Sequence, residues 1–567
     1  MRVLFVVYDN GSFDHTFPMG LGALGAILKK DGHEISIWSQ DMHHWPDEHL
    51  TEYLDNNKFD MVIVSLIAGY YQYNRILKLS KAINSSKQRP TYVVGGYGPT
   101  PEPEYWLRKL ECDIIGLGEG EITISELAKT LANSEPLEQV PGIAWIDASG
   151  KFNETPRPPQ IEDLDSLPWY PYELFPMEYY RLMQLPKTSP TTFSMPMMSA
   201  RGCSFKCTFC YRMDPGYRKR DPEALLDEVE FLYKDYGITR INFQDDLLMS
   251  SVEHTISVCR AFEKRNLPVE WACNGRLNYC SRELLEYMRK VGCVFINYGI
   301  ESMDQKVLND MKKGLNPNMI TRGIEWTLDV GISPGLNFIF GYADDNAETI
   351  KKSVDFLLKY DDFAQKRTIR PVTPYPGSPL YYDAIKLGLL DKENPCQDFY
   401  ENKHLNSDLI AVNFTKLSDE EFYGCLKTAN KTLMENYYDN QRENTLAQID
   451  YLYTTKDTSF RGFKGSSSSS RADAPKDVIK KESNEDEPQN WEASQRTDAN
   501  RFSSKHGKPE FEKNPIDADA NNAASVKFKK AYEKVLYTEK MIKYEPKIKI
   551  AQKPETRSAS APSRIIQ

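Results

Sequence analysis

The sequence predicts an α/β protein built from two successive units. The first is a doubly wound, Rossmann-like parallel sheet. The second is a partial (β/α)6 TIM-like barrel, followed by a helical C-terminal region and a disordered tail. Three observations predict this. Short apolar runs alternate with helix-period segments from residue 1 to about 150, and a second such series runs from about 191 to 385. A proline-rich stretch without periodicity, 151–190, lies between them and reads as a linker. After a helical, aromatic region at 386–455, residues 456–567 turn polar and charged (GSSSSSRADAPKD, KKESNEDEPQNWEASQRTDANR). Such a segment buries too little apolar surface to fold, although SVKFKKAYEKVLYTEKMIKYE within it has amphipathic helical spacing.

In the first unit RVLFVV is a continuous apolar run, as in a parallel strand covered on both faces. GLGALGAILKKDG follows as a helix closed by glycine. HEISIW, FDMVIVSLI, PTYVVGG and CDIIGLG supply further strands, with YNRILKLSKAIN and EITISELAKTLA among the helices. In such sheets ligands bind at the carboxyl ends of the strands. Those ends are glycine-rich here, at Gly95-Gly96-Tyr97-Gly98 and at Gly116-Leu117-Gly118-Glu119-Gly120-Glu121.

In the second unit the strands are TTFSMPMMSA, ITRINFQDD, VEWACNGR, CVFINYGIES, SPGLNFIFGY and KRTIRPVTPYPG. Helices separate them, as in PEALLDEVEFLYKDYG, where Leu225, Val229 and Leu232 share a face. Six units suit a partial barrel, with its chemistry at the C-terminal ends of the strands.

Composition limits the function. The 567 residues carry a net charge of −10, which argues against a general nucleic-acid binder. The N-terminal apolar run is too short for a signal peptide, and no apolar stretch has the length of a bilayer span. The expectation is a cytoplasmic protein acting on a small molecule. Of ten cysteines, Cys112, Cys259, Cys273, Cys280, Cys293, Cys396 and Cys425 are scattered and read as core thiols. The other three crowd into RGCSFKCTFCYR, as Cys203, Cys207 and Cys210.

Three cysteines so spaced could be half of a zinc site, with His254 or another group as fourth ligand, or coincidental core thiols. They could also hold a 4Fe–4S cluster with one iron left open for an exogenous ligand. Their place, directly after the first strand of the second series, favours the cluster.

Cys203-X3-Cys207-X2-Cys210 resembles the signature of the radical S-adenosylmethionine (SAM) enzymes, and the resemblance extends over roughly residues 190–385. It implies that the open iron chelates the amino and carboxylate groups of SAM. One electron from the cluster then splits the sulfonium to a 5′-deoxyadenosyl radical. Phe209 is implied beside the adenine, Asp245 and Asp246 of FQDD at the SAM amino end, and Glu301 of YGIES on SAM polar groups. NFIFGYADD and TPYPGSPL match the family's fifth and sixth strand ends. Simpler uses stand beside these. Asp245, Asp246 and Glu301 could be helix caps, Arg276 and Asn274 could hold a carboxylate or make an ordinary ion pair, and Tyr375-Pro376-Gly377 could be a tight turn.

A doubly wound unit ahead of such a barrel is similar to the order in cobalamin-dependent radical SAM proteins. That resemblance implies corrin contacts at Gly95, Gly96, Gly118, Glu119, Gly120 and Glu121, where glycines let backbone approach a flat macrocycle. Two departures are visible. The loop after the first strand, DNGSFDHTFPMG, has no Asp-X-His-X-X-Gly spacing of a cobalt-ligating histidine, and DMHHWP begins similarly but has proline for glycine and follows the second strand, so no histidine is expected on the lower face; and Gly98 stands where many relatives carry histidine. The implied activity is methyl transfer to an unactivated carbon: hydrogen abstraction by the adenosyl radical, methyl delivery from methylcobalamin, and remethylation by a second SAM. An external electron donor such as a flavodoxin or ferredoxin is implied too. The alternatives are oxidative cyclisation or ring rearrangement with the same cofactors, a non-catalytic cobalamin or SAM sensor, and a zinc scaffold.

Overall fold

The computed structural model describes residues 1–456 apart from 12–14, 68, 184, 187, 189–190 and 214–215. Apart from Lys456, the expected tail, with its amphipathic segment, lies outside the described residues.

The first sheet has seven strands: β1 (Arg2–Val7), β2 (Glu34–Ser39), β3 (Met61–Ser65), β4 (Thr91–Gly95), β5 (Ile114–Gly116), β6 (Ile143–Ile146) and β7 (Phe152–Glu154). Their order is β2-β1-β3-β4-β5-β6-β7. The first five are parallel, as the sequence predicts. β6 and β7 were not expected and run antiparallel, joined by a turn in which Asp147 accepts the N–H groups of Ser149 and Lys151. Three-residue β7 is too short to show alternation, and it lies in the stretch read as linker.

Alternation does explain the two covered faces. Val3, Phe5 and Val7 enter one core, with Met61, Ile63 and Val93; Leu4 and Val6 enter the other, with Val62, Val64 and Val94. Helices Met19–Lys30 and Glu121–Asn133 pack on each other over the first face, and helices Asp47–Asn56, Tyr70–Asn84 and Pro103–Leu110 bury their apolar sides in the second core.

The second sheet comprises β8 (Ser194–Met197), β11 (Arg240–Phe243), β12 (Glu270–Gly275), β13 (Cys293–Glu301), β14 (Ser333–Phe340) and β15 (Ile369–Pro371). They are all parallel, in the order β8-β11-β12-β13-β14-β15. This is the expected six-stranded partial barrel. Ile241, Phe243, Trp271, Ile296, Tyr298, Leu336 and Phe338 join the apolar core shared with the surrounding helices. Between β8 and β11 sits a separate antiparallel ribbon, β9 (Ala200–Gly202) with β10 (Tyr217–Lys219).

The C-terminal region is helical at Pro379–Lys386 and at Asp419–Thr455. The long helix starts at a Ser418–Glu421 capping box. It buries Phe422, Leu426, Ala429, Leu433 and Tyr437, and nothing beyond. At roughly 1.5–3 kcal/mol per buried large apolar side chain, its first half is anchored and its second half is not. Tyr400 is core, stacked on Tyr73, and Phe414 packs on the edges of two core clusters. Among the described residues no helix is long and apolar enough to cross a membrane.

Candidate active site

The cysteine loop leaves and re-enters through the β9–β10 ribbon, where Gly202 takes φ +80°. Three other loops pin it. Thr208 N–H donates to the Met311 carbonyl (3.1 Å), Leu380 N–H donates to the Thr208 carbonyl (2.9 Å), and the Thr208 and Tyr342 hydroxyls share a hydrogen bond of 2.8 Å. GYADD and TPYPGSPL are thus brought to the cysteines. Within GYADD, Asp345 accepts the N–H groups of Gly341 and Tyr342 (2.9 and 3.0 Å), and burial pushes its carboxyl up to about 6. Gly377 is a turn with φ +87°, and a Cβ there would lie 2.5 Å from Tyr211 of the cysteine loop and 2.8 Å from Pro101 of the first sheet's loops.

All three cysteines are free thiols. The Cys207 and Cys210 thiols share a hydrogen, which pulls Cys207 down and pushes Cys210 up; the Lys313 and Arg276 cations reinforce the drop at Cys207 against its burial. Burial raises Cys203. Arg276 donates to the Cys207 sulfur at 3.5 Å, donates to the Lys313 carbonyl, and lies over the Phe205 ring at 3.4 Å. It holds no carboxylate here; it is a thiolate partner. Lys313 pairs with Glu301 at 2.8 Å, both side chains over nine-tenths buried. Glu301 is a left-handed residue, φ +72°, at a β13 bulge. That conformation costs about 1–2 kcal/mol in a non-glycine residue and is held by the ion pair. Lys313 also stands 5.5 Å from the centre of the Phe209 ring, which packs against Val307, Met311 and Tyr342. Nothing in the sequence reading singled out Lys313; the one available signal was the lysine pair in DMKKG after β13.

Asp245 is fully buried. It accepts Ser199 N–H (2.6 Å), Ala200 N–H (3.0 Å) and the Ser199 hydroxyl, and burial pushes its carboxyl up to about 7. It braces the entry to β9. It caps no helix, because Ser251 caps Val252–Arg265. Asp246 is exposed at the strand ends. Asn274 donates to the Asp245 carbonyl (2.7 Å) and accepts from Asn297 (3.0 Å), which accepts from Asn337 (2.7 Å). This amide ladder runs across β12, β13 and β14.

In the first unit the glycines divide. Gly96 has φ +107°, and a Cβ there would lie 2.6 Å from the Leu66 carbonyl, so it is a packing glycine. A Cβ on Gly120 would meet Leu24 at 2.8 Å. Gly116 opens on free space, and Gly95 beside it meets only the Gly116 carbonyl, at 3.7 Å. The Thr100 hydroxyl ties the two loops, donating to Gly96 O and accepting Gly118 N–H. Glu119 and Glu121 pair with Arg218 and Arg201 of the ribbon. His43 stacks on Trp45, and His44 pairs with Asp9 at 3.0 Å.

Residues 197–357 match the radical SAM superfamily, and residues 12–128 match the B12 binding domain. The chain carries a radical SAM domain and a B12-binding domain. It is 28% identical over 407 residues to an uncharacterized methyltransferase of Pyrococcus horikoshii, covering 70% of this chain and 85% of the relative. It is 27% identical over 488 residues to the anaerobic magnesium-protoporphyrin IX monomethyl ester cyclase of Rubrivivax gelatinosus, covering 77% and 84%. In fold it is similar to the radical SAM methyltransferase TsrM of Kitasatospora setae, solved with cobalamin and a [4Fe–4S] cluster: TM-score 0.61, 17% identity, 76% of this chain and 90% of that one.

The residues present fit both cofactors of this radical SAM protein. Three free thiols beside two buried cations suit an anionic thiolate-bound cluster. The paired glycines Gly95 and Gly116 leave an open face at the strand ends that side chains would fill. His254, the candidate fourth zinc ligand, has its ring edge-on to Tyr217 and caps no thiol group; among the described residues no three His, Cys, Asp or Glu side chains converge as around one ion.

Proposed function

We propose that this radical SAM protein is a cobalamin-dependent methyltransferase that acts on an unactivated carbon of a small molecule. The observation that carries the reading is the set of three free thiols on one loop, with Arg276 and Lys313 beside Cys207 and the GYADD and TPYPGSPL turns against the loop, while the glycine-lined strand ends of the first sheet reach the same loop through Tyr97, edge-on to Tyr211 at 6.0 Å. Cys203, Cys207 and Cys210 hold the cluster, and Gly95 with Gly116 leaves the face for the corrin. When bound, the cluster supplies the electron that splits SAM to a carbon radical, and the corrin supplies the methyl group.

This chain's own residues position and shield. Arg276 donates to the Cys207 sulfur and offsets its negative charge. Lys313 and Glu301 present a neutral pair whose two ends match the carboxylate and ammonium of the SAM amino-acid group. Phe209 walls the adenine side, and the exposed Asp246 completes the ligand set at the mouth. Asp245 is a positioning residue for the loop. The asparagine ladder lines the barrel wall with neutral amides that need no counter-ion. The electron comes from an external donor of the flavodoxin or ferredoxin type.

Cyclisation with the same cofactors is the second reading, favoured by the cyclase relative, whose match spans more of this chain than that of the Pyrococcus methyltransferase. The test is anaerobically loaded protein given SAM with a deuterated methyl group and a small-molecule extract. A product carrying the deuterated methyl is expected. An unlabelled product lighter by hydrogens would instead establish cyclisation.

A further inference from the structure

The two acidic residues of GLGEGE reach out of the first unit rather than into its ligand face. Glu119 accepts both terminal nitrogens of Arg218, with Nη1 at 2.9 Å from Oε2. Arg201 donates to Glu121 at 2.5 Å and lies 3.4 Å from Glu119. All four side chains are more than four-fifths buried. Burial opposes the charge on Glu119, and the two guanidiniums more than offset it, holding the carboxyl below its usual range.

Arg201 and Arg218 are directly opposite partners across the β9–β10 ribbon. Like charges facing each other on a two-stranded ribbon repel, so the ribbon needs acidic neighbours to close. Among the described residues it has no other strand to lean on, since β9 and β10 form a sheet of two. The ribbon is also where the cysteine loop begins and ends: Gly202 of β9 immediately precedes Cys203. The two acids come from the loop whose glycines edge the corrin face.

We propose that Glu119 and Glu121 form a charge latch with Arg201 and Arg218 that closes the base of the cysteine loop only when the rim of the first unit is seated against it. They are positioning residues for the cluster loop, not corrin contacts. The latch makes the geometry between the two cofactor sites depend on four side chains that touch neither cofactor. Only the identity of what the two loops hold rests on the function proposed above; the latch rests on the ion pairs.

Hydrogen exchange of the full chain, loaded anaerobically with iron, sulfide and cobalamin, tests it. Glu119→Gln is expected to speed exchange of the amides of 200–203 and 216–219 at least tenfold, with the amides of β3 and β4 unchanged. The double variant Glu119→Gln/Arg218→Met is expected to exchange at least threefold more slowly than Glu119→Gln, because the single change strands a buried guanidinium. Cobalamin affinity of Glu119→Gln, by absorbance titration, is expected to stay within threefold of wild type. If Glu119→Gln does not fold, Glu121→Gln with and without Arg201→Met reads the second pair in the same way. Wild-type ribbon exchange in these variants would overturn the latch, as would a tenfold loss of cobalamin affinity with ribbon exchange unchanged. Failure of the chain to take up cobalamin at all would refute the proposed function and leave the exchange result to decide the latch.

Discussion

Two glycines at neighbouring strand ends are expected to respond in opposite ways to alanine. Gly96 sits at φ +107°, outside what L side chains readily adopt, at a cost of about 1–2 kcal/mol for alanine. The new Cβ would also lie 2.6 Å from the Leu66 carbonyl and 3.2 Å from its nitrogen, backbone atoms that cannot swing aside. Relief requires the β3 and β4 loops to part, which breaks Leu66 N–H to Gly95 O (2.8 Å) and Gly98 N–H to Leu66 O (3.1 Å). At about 1 kcal/mol net for each bond, Gly96→Ala costs about 3–4 kcal/mol in all. Gly116→Ala meets no atom within 4 Å and is expected to leave stability within about 0.5 kcal/mol of wild type. It fills the face assigned to the corrin, so cobalamin affinity is expected to fall at least tenfold, about 1.4 kcal/mol. Urea denaturation followed by circular dichroism, with absorbance titration of cobalamin, reads both variants. A wild-type urea midpoint for Gly96→Ala, or unchanged cobalamin affinity in Gly116→Ala, would refute these two assignments.

Three further outcomes are expected. Burial lifts the Asp245 carboxyl from 3.8 to about 7, so the folded chain holds its proton more tightly than the unfolded chain. That stabilisation is complete below 3.8 and lost as pH rises through about 7, up to roughly 4 kcal/mol, and wild type should lose stability relative to Asp245→Asn over that window. Equal urea midpoint differences at pH 5 and pH 8 would contradict it. Lys313→Met strands the buried Glu301 carboxylate and is expected to cost about 3–5 kcal/mol, most of which Lys313→Met/Glu301→Leu recovers; additive losses would show the pair is not coupled. Arg276→Met removes a donor to the Cys207 sulfur, so the reduction potential of the reconstituted cluster should fall, and a potential at or above wild type would refute that role.

Much of the fold was legible because the first five strands of one sheet and all six of the other are parallel and covered. Apolar runs such as RVLFVV feed alternate residues to two cores, and the longer barrel strands β12, β13 and β14 bury most of their residues as well. β6 and β7 escaped because antiparallel strands of three or four residues leave no periodic trace. The cysteine loop was legible from spacing and place. The partners of its thiols were not: Arg276 arrives from the end of β12 and Lys313 from the turn after helix Gln305–Asp310, far along the chain, and only the fold sets them beside Cys207. The same holds for Glu119 and Glu121. A glycine-rich loop at a strand end reads as a ligand site, and nothing in GLGEGE tells which of its side chains face a neighbouring unit. Asp245 illustrates a further limit, since a carboxylate at a barrel strand end reads the same whether it faces a ligand or braces a backbone.

Cys203, Cys207 and Cys210 are proposed to hold a cluster that cleaves SAM. The most direct measurement is 5′-deoxyadenosine formation by the anaerobically reconstituted chain with SAM and a strong reductant, beside Cys203→Ala treated identically. Wild type is expected to form 5′-deoxyadenosine, and Cys203→Ala none above background. Equal amounts from both, or none from a wild-type chain carrying its full iron and sulfide, would contradict it.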